Sequence, residues 1–398
     1  MNILFIEKTF DGTLGGSHTC LYNLINCLDN RKYTIFVGLY QNNSYTSKLQ
    51  DIGIRVIFIK RNPHLAGLVI IRKMRNWYRL VYLHRLQLKK ILLTHKIDLL
   101  VLNNSISGCN DHLQVCKKIG VPVIVYERGF INYSKADISL TDSIHASIAV
   151  SRAVYKNMNY YQYRNASSVI YDGLPVDQIL GHNVSEIEKI KWKWSIPRNS
   201  IVIGIIGNIR EWKGQEYFVK AFLLLSKKYY NMYALVVGGY GIEDEQYLKR
   251  LENLAVDSVA RERLIYTGYR EDVSDLLRIM DVFVHASIRP EPFGMVILEA
   301  MLQKVPVIAS NIGGPVEILM NGECGILVPP QNEAAIANAI EKYLNNPSFR
   351  NEMVDNAFKR MIKDFDLRKT VKQTEEIFQG ICRANYERSI SIANKMSI

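Results

Sequence analysis

The segment 289–301 (RPEPFGMVILEAM) holds two glutamates, Glu291 and Glu299, eight positions apart. Glu291 lies in a Pro-flanked loop after an apolar run, and Gly294 is placed to open a helix carrying Glu299 in its second turn. The start of such a helix, at Gly294, Met295 and Val296, offers free N–H groups and a positive dipole end that suit a phosphate or a hydroxyl. Glu299 stands about 6 Å further along the axis than Met295, at ~1.5 Å per residue. A carboxylate there can accept hydrogen bonds from both hydroxyls of a ribose, and Glu291 can do the same for another sugar. The plain alternative is a surface helix with two solvated acids. The Pro-Glu-Pro-Phe-Gly turn between strand and helix favours the ligand reading.

A second constellation is 204–214 (GIIGNIREWKG), where a buried strand gives way to a basic loop. Lys213 is a point charge for a diphosphate, Arg210 is capable of a forked contact, and Gly214 lets the next helix begin close to a ligand. A solvated basic turn is the competing reading. Near the start, Gly15, Gly16 and Ser17 form a loop after the first strand, where successive N–H groups can cradle an oxyanion. His18 beside them reads as helix surface. At 126–130 (YERGF), Glu127 is available to a sugar hydroxyl and Arg128 to a phosphate or an acidic acceptor, unless the two form an internal ion pair.

These residues need elements to hold them, and the chain supplies alternating apolar strands and helical patterns. Strands are expected at 2–6, 34–38, 55–59, 99–102, 121–126, 146–150 and 168–171. A second set is expected at 201–207, 234–238, 264–267, 282–285, 305–309 and 325–328. Continuous Val/Ile runs suit strands covered on both faces, as in parallel sheets. The expected fold is α/β, with two Rossmann-like doubly wound domains facing a central cleft at the strands' carboxyl ends. The expected bounds are 1–180 for the first domain, 181–375 for the second and 376–398 for a helical tail packing back on the first. A chain of 398 residues with 48% hydrophobic content is large enough for both cores.

The net charge of +12 favours phosphate-bearing partners. The six cysteines show neither Cys-x-x-Cys nor zinc-like spacing, which fits a reducing compartment. The N-terminus reads as a first strand and not as a signal peptide, and no apolar run reaches the ~20 residues that span a bilayer. No aspartate cluster of metal-ligand form stands out. A basic, acid-free stretch from Lys60 to Lys96, interleaved with Trp77, Tyr78, Tyr82 and leucines, can form an amphipathic helix on an anionic membrane surface or an ordinary solvated helix.

The chain resembles glycosyltransferase family 4, retaining enzymes of the GT-B fold. Glu291 and Glu299 match its Glu-x7-Glu motif. Further matches run in order through 14–17 (LGGS), 170–174 (IYDGL), 204–214, 311–317 (NIGGPVE) and 321–330 (NGECGILVPP), and so span most of the chain. The resemblance implies metal-independent sugar transfer with retention, from a nucleotide-sugar donor to a saccharide or lipid-linked acceptor. It implies no cofactor beyond the donor, UDP-sugar being preferred and GDP-mannose open. It places Gly15–Ser17 beside the donor phosphates and the acceptor, and Gly313 and Gly314 beside the nucleotide. Two departures stand out. Relatives often have Arg where this chain has Asn208, so either Arg210 takes over that role or the phosphate is held differently, and relatives often have His near Glu127 and Arg128. Retention follows from the resemblance and not from the residues. Competing readings are a nucleotide-sugar epimerase and an inactive membrane-surface scaffold. No nucleic-acid recognition module is present. The expected location is cytoplasmic, with peripheral contact at the inner face of a membrane.

Overall fold

Val/Ile-rich runs become strands whose side chains are covered on both faces. The computed structural model describes residues 1–8, 15–60, 78–158, 166–178 and 183–396, and these divide into two units. The first comprises Met1–Gly173 and Leu367–Ile398, the second Leu174–Asp366. These divisions fall several residues before the expected bounds of 180 and 375. The chain passes between units where Leu174 bridges Asp366 and the Leu174 N–H donates to Phe365 O at 2.9 Å, so pairing of the two passes marks the division.

In the first unit, β1 (Asn2–Ile6), β2 (Thr34–Leu39), β3 (Arg55–Phe58), β4 (Leu99–Leu102), β5 (Val123–Glu127), β6 (Ala146–Ala149) and β7 (Ala166–Val169) form one sheet in the order β3-β2-β1-β4-β5-β6-β7. Every pairing in it is parallel. Ile3, Phe5, Leu99, Val101 and Ile124 are fully buried. The helix Leu367–Met396 belongs to this unit, with Phe378 edge-on to Phe5 at 6.2 Å and to Tyr33 at 6.4 Å.

The second unit repeats the plan. The strands β8 (Ile201–Ile206), β9 (Met232–Val237), β10 (Leu264–Gly268), β11 (Val282–His285), β12 (Val307–Ser310) and β13 (Ile326–Val328) form a parallel sheet in the order β10-β9-β8-β11-β12-β13. In both sheets the order reverses beside the first strand, between β1 and β4 and between β8 and β11. Such a switch point leaves a crevice at the strands' carboxyl ends, where doubly wound folds take their ligands. Among the described residues no helix is long and apolar enough to cross a membrane.

Candidate active site

The second unit's switch point gathers the strongest sequence candidates. After β8 the chain turns through Gly207, at φ +153°, into the short turn Glu211–Lys213 and then Gly214 at φ +72°. Only glycine fits at Gly214, because a Cβ there would stand 2.0 Å from Ala286 O. The Ile288 N–H donates to Trp212 O at 2.8 Å. The turn bearing Lys213 is thereby fastened to the segment that follows β11, which carries Glu291. Lys213 Nζ lies 2.9 and 2.7 Å from the two Glu291 carboxylate oxygens, and Ser287 Oγ donates to Oε2 at 3.1 Å. His285 Nε2 is 3.5 Å from Oε2, at the outer limit of a hydrogen bond, and its Nδ1 has no hydrogen-bond partner among the described residues. Burial alone would raise the Glu291 pKa; Lys213, helped by His285, outweighs it and holds the carboxyl well below the usual range.

The Glu291 loop is anchored from its other side. Glu291 bridges Gly313, and Glu291 O accepts from the Gly314 N–H at 2.8 Å. A Cβ on Gly313, at φ +69°, would come 2.5 Å from Glu291 O. The Gly313–Gly314 pair therefore serves the close approach of two backbones.

Gly294, at φ +122°, caps the helix Met295–Leu302, and the first N–H groups, those of Met295 and Val296, have no acceptor within the helix. Ile297, Leu298, Ala300, Met301 and Leu302 are buried, which leaves Met295, Val296 and Glu299 as the partly open face. Glu299 makes no side-chain hydrogen bond or ion pair among the described residues. Burial pushes its carboxyl up to about 7. Two acids of one motif thus have opposite settings: Glu291 held charged by a lysine, Glu299 desolvated and unpaired.

Arg210 does not join this cluster. Its guanidinium faces the acids after β9, 3.6 Å from Glu243 and 3.3 Å from Asp244. Asn208 is exposed, and its carbonyl accepts from Gln215 Nε2 at 2.9 Å.

In the first unit the switch point holds a polar network. Gly15 and Gly16 are exposed at the start of the helix Gly16–Cys27. The Gly15 N–H donates to His18 Nδ1 at 3.2 Å, and His18 is buried, not surface as its position suggested. Glu7, buried just past β1, accepts from Asn103 and Asn104 past β4, and Asn104 Nδ2 also reaches Ser17 Oγ at 3.4 Å. Arg128 is paired with Asp172, donates from Nε to Asn103 Oδ1 at 3.2 Å, and lies over the Tyr126 ring. Glu127 accepts from Tyr133 OH at 2.5 Å. His285, Ser287, Glu7, Asn103 and Asn104 escaped the sequence reading. Their one signal was position, since each ends a strand adjoining a switch point or lies within two residues after it.

Of the basic stretch, Lys60 and residues 78–96 are described; Arg72, Lys73, Arg75 and Trp77 lie outside. Tyr78 and Tyr82 stack at 5.4 Å and are exposed. The helix Leu83–Thr94 buries Leu88, Ile91 and Leu92 and exposes Leu86, Lys89, Lys90 and Leu93. Leu14 of the LGGS motif is also outside.

Two parallel-sheet units with these switch points make the GT-B architecture. HepE of Anabaena, in a structure with UDP and glucose, matches at TM-score 0.81 over 95% of this chain and 99% of its own, at 23% identity. A glycosyltransferase from Rickettsia africae matches at TM-score 0.81, at 22% identity, over 96% of this chain and 98% of its own. Residues 186–360, all within the second unit, match the family model described as glycosyl transferases group 1. Among curated relatives, an uncharacterised glycosyltransferase of Methanocaldococcus jannaschii is 29% identical over 59% of this chain and 58% of its own length. The capsular polysaccharide biosynthesis glycosyltransferase CapM of Staphylococcus aureus is 26% identical over 61% of this chain and 60% of its own. The chain thus spans less than two thirds of these relatives' length.

Proposed function

We propose that the chain is a glycosyltransferase that takes a sugar from a nucleotide-sugar donor, UDP-linked by preference, to a saccharide or lipid-linked acceptor in polysaccharide or glycolipid assembly. The observation that carries this reading is the pairing of Lys213 with Glu291 beside an unpaired Glu299, all at one switch point. Glu299 accepts the ribose hydroxyls, and Glu291 orients the hydroxyls of the transferred sugar. Lys213 and the N–H groups at Met295 and Val296 meet the diphosphate. Cleavage of the donor builds negative charge on that diphosphate, and preorganised donors stabilise it where it forms. Arg210 reaches the phosphates only by leaving Asp244, and Asn208 contributes through its exposed position.

Gly15 and Gly16 supply backbone N–H groups, and Ser17, Glu127 and Arg128 are the acceptor-side candidates. We assign transfer with retention and without a metal ion, in family 4, on the Glu291–Glu299 motif. The HepE complexes with UDP and UDP-glucose support the choice of base. Peripheral contact with an anionic membrane, on its cytoplasmic face, fits the exposed Tyr78, Tyr82, Leu86, Lys89, Lys90 and Leu93.

The test is binding and hydrolysis of a panel of nucleotide sugars, with EDTA and with added Mg²⁺, for wild type and Glu299→Ala. One nucleotide class is expected to bind, at least about tenfold more weakly in the variant, since two charge-assisted hydrogen bonds are lost. A protein that binds no nucleotide sugar would refute the reading.

A further inference from the structure

Glu291 is held twice, by its carboxylate and by its backbone. Lys213 grips the side chain, while Glu291 O accepts from the Gly314 N–H at 2.8 Å. Gly314 opens a helix of only five residues, Gly314–Ile318. A helix that short is not stable through its own hydrogen bonds, and its last carbonyls need donors from elsewhere. It keeps its place only if other groups hold its ends.

One side chain holds the far end. Arg360, on the helix Pro347–Asp364, donates from Nη2 to Glu317 O at 2.9 Å and from Nε to Ile318 O at 2.8 Å. Its Nη1 donates to Asp364 Oδ2 at 3.0 Å, which balances the charge. A planar fork can span two successive carbonyls in this way, whereas an ammonium acts as a point. The same guanidinium lies over the Phe365 ring, 5.2 Å from its centroid, and Phe365 meets Phe293 edge-on at 5.9 Å. Both rings are buried, and Phe293 stands two positions after Glu291. Arg360 therefore reaches the Glu291 loop by two routes, through the short helix that anchors it and through the pair of rings behind it.

We infer that Arg360 is a positioning residue for Glu291, fixing the loop that aims the carboxylate without touching the ligand. The sugar-orienting role proposed above for Glu291 is the reading on which this inference rests.

Two measurements test it. The first is hydrogen exchange of the Gly314 amide by NMR in the ligand-free protein, wild type against Arg360→Ala, with the amides of β9 as the reference for global opening. Exchange at Gly314 is expected to quicken at least about tenfold relative to that reference. An unchanged ratio overturns the inference. The second is release of UDP from saturating UDP-glucose by wild type, Arg360→Ala, Glu291→Gln and the double variant. Arg360→Ala is expected to lower turnover about tenfold with little change in the donor's dissociation constant, and to lower it less than about twofold in the Glu291→Gln background. Equal losses in both backgrounds overturn the inference, because Arg360 would then act other than through Glu291. Arg360→Lys, which keeps a charge beside Asp364 without the fork, replaces Arg360→Ala if the latter fails to fold. If wild type turns over neither UDP-glucose nor GDP-mannose, the donor reading fails by itself, and the exchange comparison still decides whether Arg360 holds the loop.

Discussion

A desolvated carboxylate with no partner is a standing cost, and Glu299 carries it. Its pKa in the folded chain, about 7, lies above the ordinary 4.5. The stability it contributes is therefore complete below the ordinary value and is lost as pH rises through about 7. Glu299→Gln should raise the apo protein's Tm above about pH 8 and leave it unchanged at about pH 3.5, as thermal melts at the two pH values would read. Equal shifts at both would mean the carboxylate is solvated. Glu291 behaves oppositely. Its lowered pKa contributes stability above the ordinary value, lost as the medium is acidified. Lys213→Ala leaves that acid without its main cation and should cost on the order of 2 kcal/mol in urea unfolding at neutral pH. The Glu291–Glu299 spacing was legible in sequence, because loop and helix follow from Pro and Gly at fixed places. The opposite electrical settings of the two acids were not, since each depends on residues distant in the chain.

At the scale of elements, close backbone approach fixes the site. Gly214 allows the Lys213 turn to touch Ala286, and Gly313 allows its loop to touch Glu291. Gly214→Ala meets both a left-handed conformation, costing ~1–2 kcal/mol, and a clash with Ala286 O. It should lower stability by more than Lys213→Ala does, and donor turnover should fall beyond what the stability loss explains; denaturant unfolding and rate measurements on the folded fraction separate the two. The strands were legible because Val/Ile runs have few other uses, and the strand-to-helix turn at Gly294 lies where the sequence placed it. Arg210 shows the limit. Three positions from Lys213 in sequence, it reads as a second phosphate ligand, yet Glu243 and Asp244, brought beside it by the end of β9, engage it. His285 reads in sequence as the last core residue of a strand, and only its approach to Glu291 distinguishes it.

For the whole molecule, charge and chain path matter most. With a net charge of +12 and exposed Tyr78, Tyr82, Lys89 and Lys90, the protein should sediment with vesicles containing anionic lipid and not with neutral ones. The binding should weaken on raising salt from ~0.1 to ~1 M as the screening length shortens. Indifference to lipid charge would remove the membrane from the account. The two-unit plan was legible from two successive strand sets, while the divisions at 173/174 and 366/367 were not, because the pairing of Leu174 with Asp366 depends on two passes nearly two hundred residues apart. The central claim is that Lys213 and Glu291 act on a nucleotide-sugar donor. Its most direct measurement is release of nucleoside diphosphate from the bound nucleotide sugar, under saturating donor, by wild type, Lys213→Ala and Glu291→Gln. The account predicts turnover by wild type and a fall on the order of a hundredfold or more in each folded variant. Variants that release nucleoside diphosphate as fast as wild type would contradict it.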